Sequence, residues 1–130
     1  MYKKTLTFFI GMLLIITIFS GCIEEEIDEN YLDKTFDEIA NEFITFLGNN
    51  NYQNAYLLFN EEMKSALTLE QLEDLWDYYL TTYGQFQSIQ NSQYKTINEY
   101  EIVNINCSFE KDYIIVFRIV FDTLKDISGF

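Results

Sequence analysis

A chain of 130 residues fits one domain and excludes two, and a composition 48% hydrophobic and 18% aromatic excludes a disordered chain. A net charge of −13, from 21 acidic against 8 basic residues, repels a phosphate backbone and excludes nucleic-acid binding. With no His and only two Cys, imidazole chemistry and most thiolate chemistry are gone, and most familiar catalytic and metal-ligating constellations go with them.

In chain order, residues 1–22 come first as an export segment. Lys3 and Lys4 precede Leu6 to Phe19, 14 uncharged residues with the profile of a signal peptide. As a helix this stretch rises about 21 Å, short of the roughly 30 Å hydrocarbon thickness of a bilayer. The next residues, Phe19-Ser20-Gly21-Cys22, resemble the lipobox of prokaryotic lipoproteins, with Phe19 where an aliphatic residue is commoner. The resemblance implies that Cys22 takes a diacylglyceryl group on its sulfur and becomes the first residue of the mature chain. Two acyl chains make membrane attachment stable where one is marginal. A signal anchor that keeps residues 1–21, with Cys22 an ordinary thiol, is the other reading. Both place the domain at the cell membrane, facing outside the cytoplasm.

Cleavage before Cys22 removes two lysines and no acid, leaving 6 basic against 21 acidic residues and a charge of −15. Residues 23–34 then read as a tether. Glu24, Glu25, Glu26, Asp28 and Glu29 form a like-charge block that self-repels and stays extended. A cation-binding role is the sharper alternative, against which stands the lack of a Gly-containing loop at EF-hand spacing.

The remainder, 35–130, reads as helices and then strands. Thr35 and Glu38 have capping-box spacing, and Phe36, Ile39, Ala40, Phe43, Ile44 and Leu47 recur at three- and four-residue steps before Gly48. Past Asn49-Asn50-Asn51, a second short helix over Tyr52, Ala55, Tyr56, Leu58 and Phe59 continues brokenly toward Leu67. Thr68 and Gln71 open a third, lined by Leu69, Leu72, Trp76, Tyr79, Leu80 and Tyr83 until Gly84.

Beyond Gly84 the period changes to two. Phe86 to Ile89 forms an early strand. Val103, Ile105, Cys107 and Phe109 alternate with polar residues in the next, and Lys111-Asp112 turns the chain into Tyr113 to Phe121, apolar on both faces apart from Arg118. Such a strand lies inside the sheet, covered by helices on one side. Ile127 to Phe130 begins a last strand. Three helices followed by an antiparallel meander of about four strands define an α+β domain with its helices on one face. Cys107, on an apolar position, reads as a small buried hydrophobe; with Cys22 lipidated it has no disulfide partner. Asn106-Cys107-Ser108 matches the glycosylation sequon, a pattern that also arises by chance.

The order of elements from Phe36 to Phe130 resembles the cone-shaped domains of the nuclear transport factor 2-like superfamily. It is closer still to an uncharacterised branch found in prokaryotic lipoproteins and ahead of some α/β-hydrolase domains. The likeness is carried by Phe43 to Leu47, Asn51-Tyr52, Ala55-Tyr56, Phe59, Met63-Lys64, Leu69 to Trp76, Tyr83-Gly84-Gln85-Phe86, Val116 to Asp122 and Ile127-Ser128-Gly129. It implies a curved sheet closing into a cone, and relatives that dimerise through the open sheet face.

That closure would bring Trp76, Tyr79 and Tyr83 against Phe117 and Phe121 as an aromatic hollow for a small apolar ligand, with Arg118 near it. The competing reading is that the rings simply fill the core, as aromatic stripes at helical spacing usually do. Arg118 either captures an anion or snorkels toward Glu99 or Glu101 on the neighbouring strand. Enzymes of this superfamily place His, Asp or Tyr in the cone mouth; this chain has no His, and Glu73, Asp74 and Asp77 fall on the wet side of their helix. No Gly-rich phosphate loop, cysteine metal knuckle or Gly-x-Ser-x-Gly elbow is present, so neither a cofactor nor the hydrolase is expected. The expected role is a membrane-anchored, non-catalytic module that binds a small apolar ligand or a protein. The alternatives are a small-molecule enzyme using a buried carboxylate or tyrosine, and a remnant of a longer lipoprotein.

Overall fold

Helix α1 (Phe36–Gly48) starts where its cap predicts. The Thr35 side chain accepts from the Glu38 N–H while the Glu38 carboxylate accepts from the Thr35 N–H, satisfying two donors that a helix start leaves open. The structure, a computed structural model, describes residues 33–130; the apolar stretch, Cys22 and nearly all of the acidic tether lie outside the described residues. Ile39, Ala40, Phe43, Ile44 and Leu47 are buried along one stripe of α1. Gly48 is the last residue of the helix rather than the residue after it: the C-cap is Asn49, and the left-handed residue beyond it is Asn50, φ 59°.

The expected broken second helix is two helices, α2 (Tyr52–Leu57) and α3 (Glu61–Ala66). The break has a backbone cause. Leu58 and Asn60 give their carbonyl and N–H to Ile127, at 2.8 and 2.9 Å, so they are committed to the sheet rather than to a helical ladder. Asn60 then restarts the chain as a cap, its side chain accepting from the Met63 N–H at 2.8 Å. Helix α4 (Leu69–Tyr83) carries the second capping box, Thr68 with Gln71, and ends on Gly84 at φ 87°. It buries Leu72 and Trp76 and exposes Glu70, Glu73, Asp74 and Asp77.

The sheet is antiparallel throughout, in the order β1-β2-β3-β4: β1 (Phe86–Ile97), β2 (Tyr100–Phe109), β3 (Ile114–Phe121) and β4 (Ile127–Gly129). Strand β1 runs eight residues past Ile89, where the alternation ends. Register shifts between Phe86 and Ser88 and between Ile89 and Asn91 insert extra residues, so that Phe86, Ile89, Ser92 and Lys95 are half-buried at every third position instead of every second. The pairs Val103–Ile119 and Ile105–Phe117 face the helices, and α1 packs across β1 and β2. The fold is therefore α+β, four helices on one face of a four-stranded open sheet.

The opposite face is uncovered by any described helix. There Gln93, Asn104 and Arg118 lie side by side, with Asn91, Asn106 and Val116 in the next row. Ile114 and Val116 remain 55% and 58% exposed.

Candidate functional site

The residues expected to line one hollow are divided by the fold. Trp76 is 1% exposed and touches Tyr79, Phe86, Phe109 and Phe117, with ring centroids 5.8–6.5 Å apart. Tyr79 and Tyr83 continue the cluster outward, half-buried, and Tyr83 meets the exposed Tyr113 at 5.0 Å. Contacts at these distances pack the core between α4 and the sheet. Phe121 is elsewhere, against Phe36 at 5.1 Å. Arg118 shares no hollow with any of them: it alternates with the inward Phe117 and Ile119 and so points to the uncovered face, exposed, opposite Asn104. Among the described residues no ion pair joins it to Glu99 or Glu101.

A cavity of about 570 Å³ does exist, at the Phe121 end of the sheet. Its wall combines Phe36 from the start of α1, Asn60 and Glu62 around the start of α3, Glu99, Tyr100 and Glu101 from the β1–β2 hairpin, and Phe121, Asp122 and Thr123 at the end of β3, with Ser128 from β4. Four carboxylates and three aromatic rings share this wall. The Phe36 ring stacks on Tyr94 at 5.4 Å, and the Lys125 ammonium stands 5.8 Å from its centroid.

Two of the carboxylates are held in place. Glu101 Oε2 accepts from the Tyr94 hydroxyl and from Thr96 Oγ1, the latter at 2.9 Å. The hydrogen bond to Glu101 is the first cause of a Tyr94 phenol held above its ordinary pKa. Asp122 Oδ1 accepts from the N–H groups of Leu124 and Asp126 at 2.9 and 3.0 Å, and its Oδ2 accepts from the Asn60 side chain at 3.2 Å. It closes the β3–β4 turn and ties that turn to the α2–α3 break. Among the described residues no charged side chain is buried, and no group of three or more His, Cys, Asp or Glu side chains converges as a metal site.

Residues 40–130 match the family model described as a protein of unknown function, DUF3887. The chain belongs to the DUF3887 family. The DUF3887 match begins inside α1 and takes in α2 to α4 and the whole sheet, so it contains the cavity wall apart from Phe36. No curated protein matches the chain, and no solved structure does. Among the described residues no helix is long and apolar enough to cross a membrane.

Of this wall the sequence marks Phe121 as a pocket residue, and Glu99 and Glu101 only as partners for Arg118. The signal that pointed there was indirect: Asn98 and Glu99 interrupt the alternation between β1 and β2, and both adopt positive φ, 49° and 71°, as the two-residue loop of a tight hairpin requires.

Proposed function

We propose that this protein is a membrane-anchored extracytoplasmic lipoprotein, attached through a diacylglyceryl group on Cys22, whose DUF3887 domain is a non-catalytic binding module of the nuclear transport factor 2-like kind. The observation that carries the binding role is the 570 Å³ cavity, lined by both apolar rings and polar groups, in a domain with only half-exposed or exposed acids. Anchoring rests on the Phe19-Ser20-Gly21-Cys22 sequence after an apolar stretch.

The test uses the full chain expressed with its own first 22 residues. The wild type should partition with membranes, resist salt and carbonate extraction, and show the mass of a diacylated protein beginning at Cys22. Cys22→Ser should lose the lipid mass. Mass spectrometry of small molecules released from the detergent-purified protein should find a retained compound. A chain recovered from the cytosol with Met1 in place and no lipid would overturn the anchoring, and an empty cavity would overturn the ligand role.

The enzymatic reading draws its support from one contact, the Tyr94 hydroxyl on Glu101 in the cavity wall. Incubating the retained compound with the protein separates the two: a binding module returns it unchanged, an enzyme converts it, and Tyr94→Phe then abolishes the conversion. Dimerisation belongs to the uncovered face. The exposed Ile114 and Val116 support a second copy there, and Val116→Lys should shift a dimer to monomer in sedimentation.

A further inference from the structure

We propose that the ligand of the Phe36–Phe121 cavity is a small organic cation, an ammonium group carrying a short hydrocarbon part. This deepens the binding reading above and rests on it. The cavity sorts its walls by chemistry. Phe36 and Tyr100 present apolar surface, backed by the buried Phe121, while Glu62, Glu99, Glu101 and Asp122 present negative charge, and no basic side chain is in the wall. The nearest positive charge given by a ring contact is Lys125, over Phe36. An anion would meet four carboxylates, and a neutral apolar molecule would leave them facing an oily surface.

A metal ion does not fit this arrangement, because the carboxylates stand apart rather than converging on one point. A ligand several ångströms long does fit, its ammonium on the carboxylates and its hydrocarbon against the rings. Charge is available for that contact. Asp122 has both oxygens engaged within the turn, but Glu101 Oε1 and the carboxylates of Glu62 and Glu99 have no partner among the described residues. The Lys125 ammonium over Phe36 shows that a ring of this wall already takes an alkylammonium at cation–π distance.

Calorimetric titration of the full detergent-solubilised chain with hexylammonium, hexanol and hexanoate tests this, since the three share a tail and differ in head charge. Hexylammonium should bind at least about tenfold tighter than the other two, and Glu101→Gln or Glu99→Gly should weaken it roughly threefold to tenfold. Lys125→Ala, which removes a competing charge, should tighten it. The double variant Glu73→Gln, Asp77→Asn on the outer face of α4 should leave it unchanged. Equal affinity for hexanol and hexylammonium would overturn the cation assignment and leave the binding module standing. Equal weakening by the α4 double variant would mean diffuse attraction to an acidic surface and would also overturn it. No titration by any of the three would remove both readings of this cavity.

Discussion

Gly48 lies directly under the ring of Phe86: a Cβ built on Gly48 would stand 2.6 Å from Cδ1 and 2.7 Å from Cε1 of that ring. Real Cβ atoms essentially never come so close, so a side chain here must displace the ring. Phe86 is half-buried and already contacts Trp76 and Phe109, each at 5.8 Å, so moving it disturbs the core rings on one side. Alanine at a helical position gains about 1 kcal/mol over glycine, whereas overpacking a core costs roughly 1–3 kcal/mol. Gly48→Ala should therefore lower stability by up to about 2 kcal/mol in urea unfolding, against the helix-propensity expectation. An unchanged or raised midpoint would mean that Phe86 yields freely.

Trp76 is the only tryptophan, and it is fully enclosed by rings from α4, β1, β2 and β3. Native fluorescence should be blue-shifted and poorly quenched by iodide, and Trp76→Ala should cost about 3–5 kcal/mol. A red-shifted, quenchable emission in the native state would contradict this placement.

Burial pushes the Cys107 thiol up to about 12. In the Cys22→Ser chain, a thiol reagent at pH 8 should leave Cys107 unlabelled until the protein is unfolded, when labelling becomes fast. The linkage has a definite sign. The folded state keeps the proton while the unfolded chain releases it near its ordinary value of about 9, so this group's contribution is fully present below pH 9. It is lost as pH rises toward 12. Replacing Cys107 with Ala should flatten that alkaline slope in a pH series of unfolding midpoints.

Glu99 and Asp112 occupy left-handed backbone at φ 71° and 60°, where a Cβ is strained and glycine is not. Asp112 ends a three-residue loop closed by the Phe109 N–H on the Tyr113 carbonyl at 2.9 Å, and Glu99 ends the two-residue β1–β2 loop. Glu99→Gly and Asp112→Gly should each raise stability by roughly 0.5–1 kcal/mol, measured by thermal melting. For Glu99 the gain comes with weaker hexylammonium binding, and for Asp112 it does not. A Glu99→Gly chain that is both more stable and equally good at binding would show that the acid has no part in the cavity.

The helices were legible because their signals are local. Thr35 with Glu38 and Thr68 with Gln71 each sit within four residues, and the structure forms both boxes. Strand β2 is legible because Val103 to Phe109 keep a strict period of two, and β3 because Ile114 to Phe121 is a run of apolar residues broken only at Arg118. Strand β1 was read only to Ile89, since its bulges turn that period into three. Gly48 marks the end of α1 in the sequence and ends it in the structure, and it is also a point of close approach, which only the position of Phe86 reveals. The cavity was hardest, as its wall is assembled from segments as far apart as Phe36 and Ser128, and no spacing along the chain encodes such a meeting. Trp76 and Phe117, which the resemblance to cone-shaped domains implies face each other, stand 5.9 Å apart as core rings.

The two bulges of β1 have a further consequence for how two copies of this domain can meet. Strand β1 forms one border of the sheet, where exposed N–H and C=O groups invite a neighbouring chain to add itself as another strand. With the register broken twice between Phe86 and Asn91, the regular row on that border is confined to Asn91 to Ile97. A second copy that meets this border edge to edge can therefore match it along Asn91 to Ile97 and not along the half that follows α4.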